Sequence, residues 1–149
     1  FRRAGTFLGA TSGTMGYGLP AAIAASLLDP DRIAIALCGD GGFAMTMNEL
    51  ETAVREDAHP IAIVFDNERY GTIAGQQLKE GRATRSTDLG PIDFAAVARA
   101  HGALGFSAHD DAGFETALRE AITSRKASVI HVKVDRVWLS PDEHPLSGS

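Results

Sequence analysis

Two short segments of the sequence collect residue types that can hold a phosphate group and a metal ion. Gly39-Asp40-Gly41-Gly42 follows directly on the apolar run Ile33 to Cys38. Asp66-Asn67-Glu68-Arg69-Tyr70-Gly71-Thr72 closes a second apolar run, Ile61 to Phe65. Glycines let the backbone come close to a ligand. A helix beginning at such a point offers unpaired N–H groups and the positive end of its dipole, which suits a phosphate. Asp40 adds a hard anionic oxygen at the same place, and Asn67 an amide oxygen. A carboxylate beside a phosphate calls for a bridging divalent cation, because the bare pair repels, and Mg²⁺ takes oxygen ligands of this kind. Each segment also has a plainer reading. Gly-Asp-Gly after a strand is a common tight turn, and Asp-Asn caps a helix or closes an Asx-turn. The residues alone leave both readings open.

The surrounding pattern says what must position these segments. Ile33 to Cys38 and Ile61 to Phe65 are almost continuously apolar, as strands buried on both faces are. Val129 to Val134, with His131 and Lys133 alternating, is a third strand, and Ala103 to Ser107 a weaker fourth. Helical spacing separates them. Pro20 opens a helix to about Leu28, where Asp29-Pro30-Asp31 stops it. Phe43, Met47, Leu50 and Val54 mark a second helix. Pro91 with Phe94, Val97, Ala98 and His101 marks a third, ended by Gly102, and Phe114, Leu118 and Ile122 a fourth. Strands alternating with helices predict an α/β fold of three α/β/α layers around a mostly parallel sheet. Ligands bind such sheets at the carboxyl ends of the strands, where both segments lie. Asp40 and Asn67 can then share one Mg²⁺ with diphosphate oxygens.

Taken together, order and spacing resemble a known pattern. Gly39-Asp40-Gly41, then the 24 residues Gly42 to Phe65, then Asp66-Asn67, resemble the cofactor motif of thiamine-diphosphate-dependent enzymes, which opens Gly-Asp-Gly and closes on a pair usually written Asn-Asn. Ser12-Gly13-Thr14-Met15-Gly16-Tyr17-Gly18-Leu19-Pro20-Ala21-Ala22 resembles the block that precedes it in the acetolactate synthase group. The resemblance covers nearly the whole chain, most strongly residues 11 to 73. It implies the thiamine-diphosphate-binding fold, with thiamine diphosphate and Mg²⁺ as cofactors. The metal would be held by Asp40, Asn67 and the backbone carbonyl of Arg69. The diphosphate would be met around Gly39 by the N–H groups of Gly41 and Gly42, helped by Gly71 and Thr72. Gly13 would accept from the pyrimidine amino group through its carbonyl, and Met15 would wedge between the cofactor rings. Asp66 stands where the family has its first Asn, and Gly42 where a Ser or Ala is common; neither change removes a metal ligand.

The resemblance also implies what lies elsewhere. Family members bind the cofactor between this pyrophosphate-binding domain and a pyrimidine-binding domain, which supplies an activating glutamate. No segment here resembles that second domain, and Glu49, Glu51 and Glu68 are not assigned its role. Residues 1–149 therefore read as the C-terminal domain of a longer lyase or transferase that decarboxylates or joins 2-oxo acids. No catalytic residue of its own is expected, and neither is turnover by the chain alone. Its partner would be the pyrimidine-binding domain of the same or another chain, in a homo-oligomer. A separate small subunit of a two-chain decarboxylase and a non-catalytic phosphate-binding module are the alternatives.

Composition narrows the field further. The chain has 149 residues, one domain's length, and its 14 Lys+Arg against 19 Asp+Glu give a formal net charge of −5. Nucleic acid, which wants a basic face, is not an expected partner. No apolar run approaches the ~20 residues of a membrane helix, and no signal peptide is read at Phe1 to Gly5. The single cysteine, Cys38, excludes an internal disulfide and suits a reducing, cytoplasmic setting. No His/Cys pair has the spacing of a zinc site. His131 shows no partner in the sequence. Gly75 to Leu89 is polar and aperiodic, and is expected to be mobile without cofactor. The tail 136–149, with Trp138, reads as a linker or lid.

Overall fold

The computed structural model of the chain describes residues 5–137. Four parallel strands form one sheet in the order β1-β2-β4-β3: β1 Ile35–Gly39, β2 Ile61–Asp66, β3 Leu104–Ala108 and β4 Ser128–Lys133. The apolar runs became these strands, displaced by one or two residues. Polar Gly39 and Asp66 are taken into the ladders as their last members. The register sets Gly39 opposite Phe65 and Asp66 opposite Lys133, so the two glycine- and carboxylate-bearing segments leave the sheet side by side at its carboxyl edge.

Helices cover both faces, giving three layers. On one face α1 (Gly18–Leu28), α2 (Asp40–Ala44), α3 (Leu50–Arg55) and α5 (Phe94–Ala100) bring Leu19, Ile23, Phe43, Leu50, Phe94 and Ala98 onto Ala36, Ala62, Val64 and Val129. On the other, α6 (Asp111–Ser124) packs Ala117 and Ala121 onto Ile61, Ile63, Ala108 and Ile130. Small residues permit the closest approaches. A Cβ at Gly105 of β3 would lie 2.0 Å from the carbonyl oxygen of Ala95 in α5, and one at Gly18 would lie 2.9 Å from Cys38 Sγ. The α6 layer stops short of β1. Ile35, Leu37 (71% exposed) and Phe65 form an open apolar stripe on that side of the sheet.

One helical expectation needs correction, and one helix was not expected. Phe43, Met47, Leu50 and Val54 do not share one helix: α2 ends at Ala44, a 3₁₀ turn spans Met47–Glu49, and α3 follows. The break falls at Thr46, whose hydroxyl donates to the Gly16 carbonyl at 3.1 Å. The aperiodic stretch from Gly75 is helical as far as Lys79, within α4 (Gly71–Lys79), where only Ala74 and Gly75 are buried. Small buried residues gave it no apolar period. Among the described residues no helix is long and apolar enough to cross a membrane. Trp138 and the rest of the tail lie outside the described residues.

Gly105→Ala is expected to destabilise the chain by about 1–3 kcal/mol, because the methyl group meets α5 backbone that cannot rotate away. Urea unfolding of the variant checks this, and an unchanged midpoint would contradict the close α5–β3 contact.

Candidate cofactor site at the carboxyl ends of β1 and β2

Asp40 is the first residue of α2 and is 4% exposed. Its Oδ1 accepts from the Gly41 N–H at 2.7 Å, and its Oδ2 from the Arg69 N–H at 3.1 Å. The second bond crosses from the β1 exit to the β2 exit and ties the two segments together. Asp66, 2% exposed, lies within hydrogen-bonding reach of Asp40. The two carboxyls respond in opposite directions. Burial, reinforced by the Asp66 carboxylate, pushes Asp40 above the ordinary carboxylate range, although the N–H groups of Gly41 and Arg69 oppose it. Burial alone would raise Asp66 too. Lys133, His131 and the Glu68 N–H outweigh it and hold Asp66 below that range.

Asp66 is the better-supplied partner. His131 Nε2 donates to its Oδ2 at 2.7 Å, and Lys133 Nζ lies 2.8 Å from the same oxygen. Among the described residues no cationic side chain pairs with Asp40. The missing partner of His131 is thus Asp66, brought to it by the β2–β4 register. The signal was present as polar residues at alternate positions of an apolar strand, but pairing them required knowing which strand lies alongside.

The turn after β2 is fixed at many points. Asp66 Oδ1 accepts from the Glu68 N–H at 2.9 Å, and Glu68 adopts φ +55°, rare for a residue with a side chain. The Glu68 carbonyl accepts from Leu89, and Tyr70 N–H donates to Thr87. The Arg69 guanidinium meets Asp88 at 3.0 Å. Tyr70, which sequence reasoning passed over, lies on Gly41: a Cβ there would fall 2.4 Å from its ring. Asn67 is buried at 9% exposure. Gly71 and Thr72 open α4, whose start has no side-chain cap, and neither has the start of α2. By contrast α5 and α6 are capped by Asp93 and Asp110.

The glycine-rich block before α1 joins the same edge. The Gly16 carbonyl is held by Thr46, and a Cβ at Gly42 would be 3.7 Å from Gly16 N. Gly13 (φ +65°) and Met15 (42% exposed) stand on this exposed loop. The structure therefore groups Asp40, Gly41 and Asn67 as a buried floor, with the half-buried Arg69 beside it and Gly42, Gly71 and Thr72 at its margin. One expected donor is engaged: the Gly41 N–H points to Asp40.

These residues fit a divalent cation and a phosphate. Two buried carboxyls in contact, one lacking a cation, form a local deficit of positive charge. Among the described residues no three His, Cys, Asp or Glu side chains cluster as a metal centre. A cation here would depend on Asp40, an amide, a backbone carbonyl and the ligand's own oxygens, the hard-oxygen set that Mg²⁺ uses with phosphates.

The family model described as "Thiamine pyrophosphate enzyme, C-terminal TPP binding domain" matches residues 1–132. The catabolic acetolactate synthase of Raoultella terrigena is 38% identical over 122 residues, 82% of this chain and 22% of that protein. The acetolactate synthase of Bacillus subtilis (strain 168) is 38% identical over 135 residues, 89% of this chain and 24% of that protein. Among solved structures, the thiamine diphosphate-dependent 4-hydroxybenzoylformate decarboxylase of Rhodococcus jostii RHA1 matches with a TM-score of 0.78 at 31% identity, over 83% of this chain and 24% of that one. The chain spans less than a quarter of the length of these relatives.

Because Asp66 is held below the ordinary carboxyl value of about 3.9, its contribution to stability is complete above that pH and is lost as pH falls through the lower folded value. Asp66→Asn is expected to cost about 1–3 kcal/mol at pH 7 and to flatten the acid limb of the stability curve below about pH 4. Thermal melts from pH 3 to 7 read both effects; an acid limb as steep as in the wild type would contradict the assignment.

Proposed function

The chain belongs to the thiamine pyrophosphate enzymes, as their C-terminal TPP binding domain, and on that basis we propose that it holds the diphosphate of thiamine diphosphate through Mg²⁺. The observation that carries this reading is the buried Asp40 carboxylate, raised in pKa by its burial and lacking a cationic partner among the described residues. Asp40 and Asn67 would be the side-chain ligands and the Arg69 carbonyl the third. The Gly42 N–H and the open starts of α2 and α4, with Gly71 and Thr72, would receive phosphate oxygens. Gly39 and Gly41 allow the backbone to come close. The Gly13 carbonyl and the exposed Met15 would meet the organic rings, Met being slim and adaptable enough to fit between them.

The bound cofactor supplies a nucleophilic carbon and an electron sink for 2-oxo acid chemistry. What this chain contributes is binding and orientation. Asp40 would offer the metal an anionic oxygen, the buried floor would exclude water behind the ion, and the clamped 66–70 turn would keep its ligands in place. We read the complete protein as a cytoplasmic lyase or transferase acting on 2-oxo acids by decarboxylation or carboligation, with residues 1–149 as one domain. The share of its relatives that the chain covers supports this. So does the uncovered apolar stripe of Ile35, Leu37 and Phe65, which a further domain or a second copy would shield. A pyrimidine-binding partner would supply the activating glutamate.

Calorimetric titration of the chain with thiamine diphosphate, with and without Mg²⁺, tests the site. Metal-dependent binding is expected, weakened in Asp40→Ala by a factor of about 100 or more, equivalent to about 2.8 kcal/mol. Absence of binding in both conditions overturns the proposal. The chain alone should show no appreciable turnover of a 2-oxo acid, and robust carboligase or decarboxylase activity would contradict its reading as one part of the enzyme.

A further inference from the structure

We propose that His131 is a positioning residue that sets the gap between the two halves of the cation site, an inference that rests on the reading above. The halves leave neighbouring strands, and past the last ladder pair, Gly39–Phe65, the bond from the Arg69 N–H to Asp40 joins them. A packed line of side chains beneath the surface connects them. Phe43 lies in α2, three residues after Asp40. Its ring meets Phe94 edge to face, with centroids 5.4 Å apart and planes at 86°. Phe94 meets the His131 imidazole in the same manner, at 5.3 Å and 82°. His131 Nε2 then donates to Asp66 Oδ2 at 2.7 Å, while Asp66 Oδ1 holds the Glu68 N–H. All four side chains of this line are buried.

Each link has a directional or steric requirement. Edge-to-face rings resist sliding, and close-packed interiors transmit displacement instead of absorbing it. The imidazole is the polar joint between the aromatic pair and the carboxylate. It fixes which way the Asp66 carboxyl is turned, and hence where Oδ1 places the Glu68 N–H. Lys133 adds a second restraint by bridging Asp66 at 2.8 Å and Glu68 at 2.6 Å. Glu68 sits in the left-handed region at φ +55°, which persists only where its surroundings enforce it. The next residue, Arg69, gives its N–H to Asp40 and its carbonyl to the proposed ion. Losing the imidazole would leave the strands and the aromatic core in place and release the turn.

The test compares His131→Met, which keeps bulk but has no donor, with His131→Gln, whose amide reaches the position of Nε2. Lys133→Met is a third variant at a partly exposed site, used if His131→Met does not fold. The apparent Mg²⁺ Kd is measured by calorimetry at saturating thiamine diphosphate, beside amide hydrogen exchange of Glu68 and Arg69 in metal-free protein. The proposal expects His131→Met to weaken Mg²⁺ binding about tenfold or more, as changes behind metal ligands do, and to speed exchange at both amides. His131→Gln should stay near the wild type in both readouts, and Lys133→Met should fall between. If His131→Met lowers only the melting temperature, with Mg²⁺ affinity and turn exchange unchanged, His131 is structural and the proposal is overturned. Equal losses in His131→Met and His131→Gln overturn it as well. A wild-type chain that shows no Mg²⁺-dependent binding removes the function proposed above, and this inference with it, an outcome that the wild-type control separates from the other two.

Discussion

Asp40 and Asp66 are buried against each other at the carboxyl ends of neighbouring strands, and a medium of low dielectric does not let both stay charged without cations beside them. The protein resolves the conflict on one side only. Lys133 and His131 attend Asp66, which keeps its charge and spends its other oxygen on the Glu68 N–H. Asp40 receives two backbone N–H groups and, among the described residues, no cation. The asymmetry separates a carboxylate paired with cations from one met by backbone N–H groups. It also accounts for the crowding around residues 66–70, where backbone bonds reach to Asp40, Thr87 and Leu89. A turn that presents ligands to a small, geometrically demanding ion has to be held from several directions.

The parallel sheet makes the pairing possible. Side chains of one strand alternate between faces, so Val129, His131 and Lys133 share the face that α5 covers, as do Ala62, Val64 and Asp66. The register then sets Asp66 opposite Lys133, two residues beyond the Val64–His131 pair. A slip of one residue would send His131 and Lys133 into the α6 layer, where Ile130 and Val132 now pack, and leave Asp66 without cations. The carboxylate at the sheet edge, Asp66, is therefore linked through His131 to a core residue, Phe94.

Much of this was legible in the sequence, and the failures share a cause. The apolar runs located all four strands within two residues, and the Gly39–Gly42 and Asp66–Asn67 segments were placed at one edge by topology alone. What escaped depended on contacts distant along the chain. The helix expected from Phe43 to Val54 breaks where Thr46 reaches back to Gly16, thirty positions earlier. Helix α4 was hidden because its buried residues, Ala74 and Gly75, are small, while its large apolar residues, Ile73 and Leu78, stay exposed. His131 seemed partnerless because its partner lies 65 residues away. Tyr70 is invisible as a site residue until Gly41 is seen beneath its ring.

The distribution of burial suggests why such a site would be shared with another domain. Its ionic part is interior: Asp40, Gly41, Asp66, Asn67 and His131 are all shielded, so the charge of a diphosphate and its metal would be met in a low-dielectric floor where each interaction counts for more. Its apolar part is not. Met15, Tyr17 and Met45 remain exposed around the glycine block, and no layer among the described residues covers them. A cofactor with a charged tail and an aromatic body would be gripped here by the tail, with its body projecting towards solvent. Dry surroundings for that body need a second surface, and a domain that supplied one would also close over these exposed side chains. Cofactor binding and domain association would then draw on the same buried area, so each should strengthen the other.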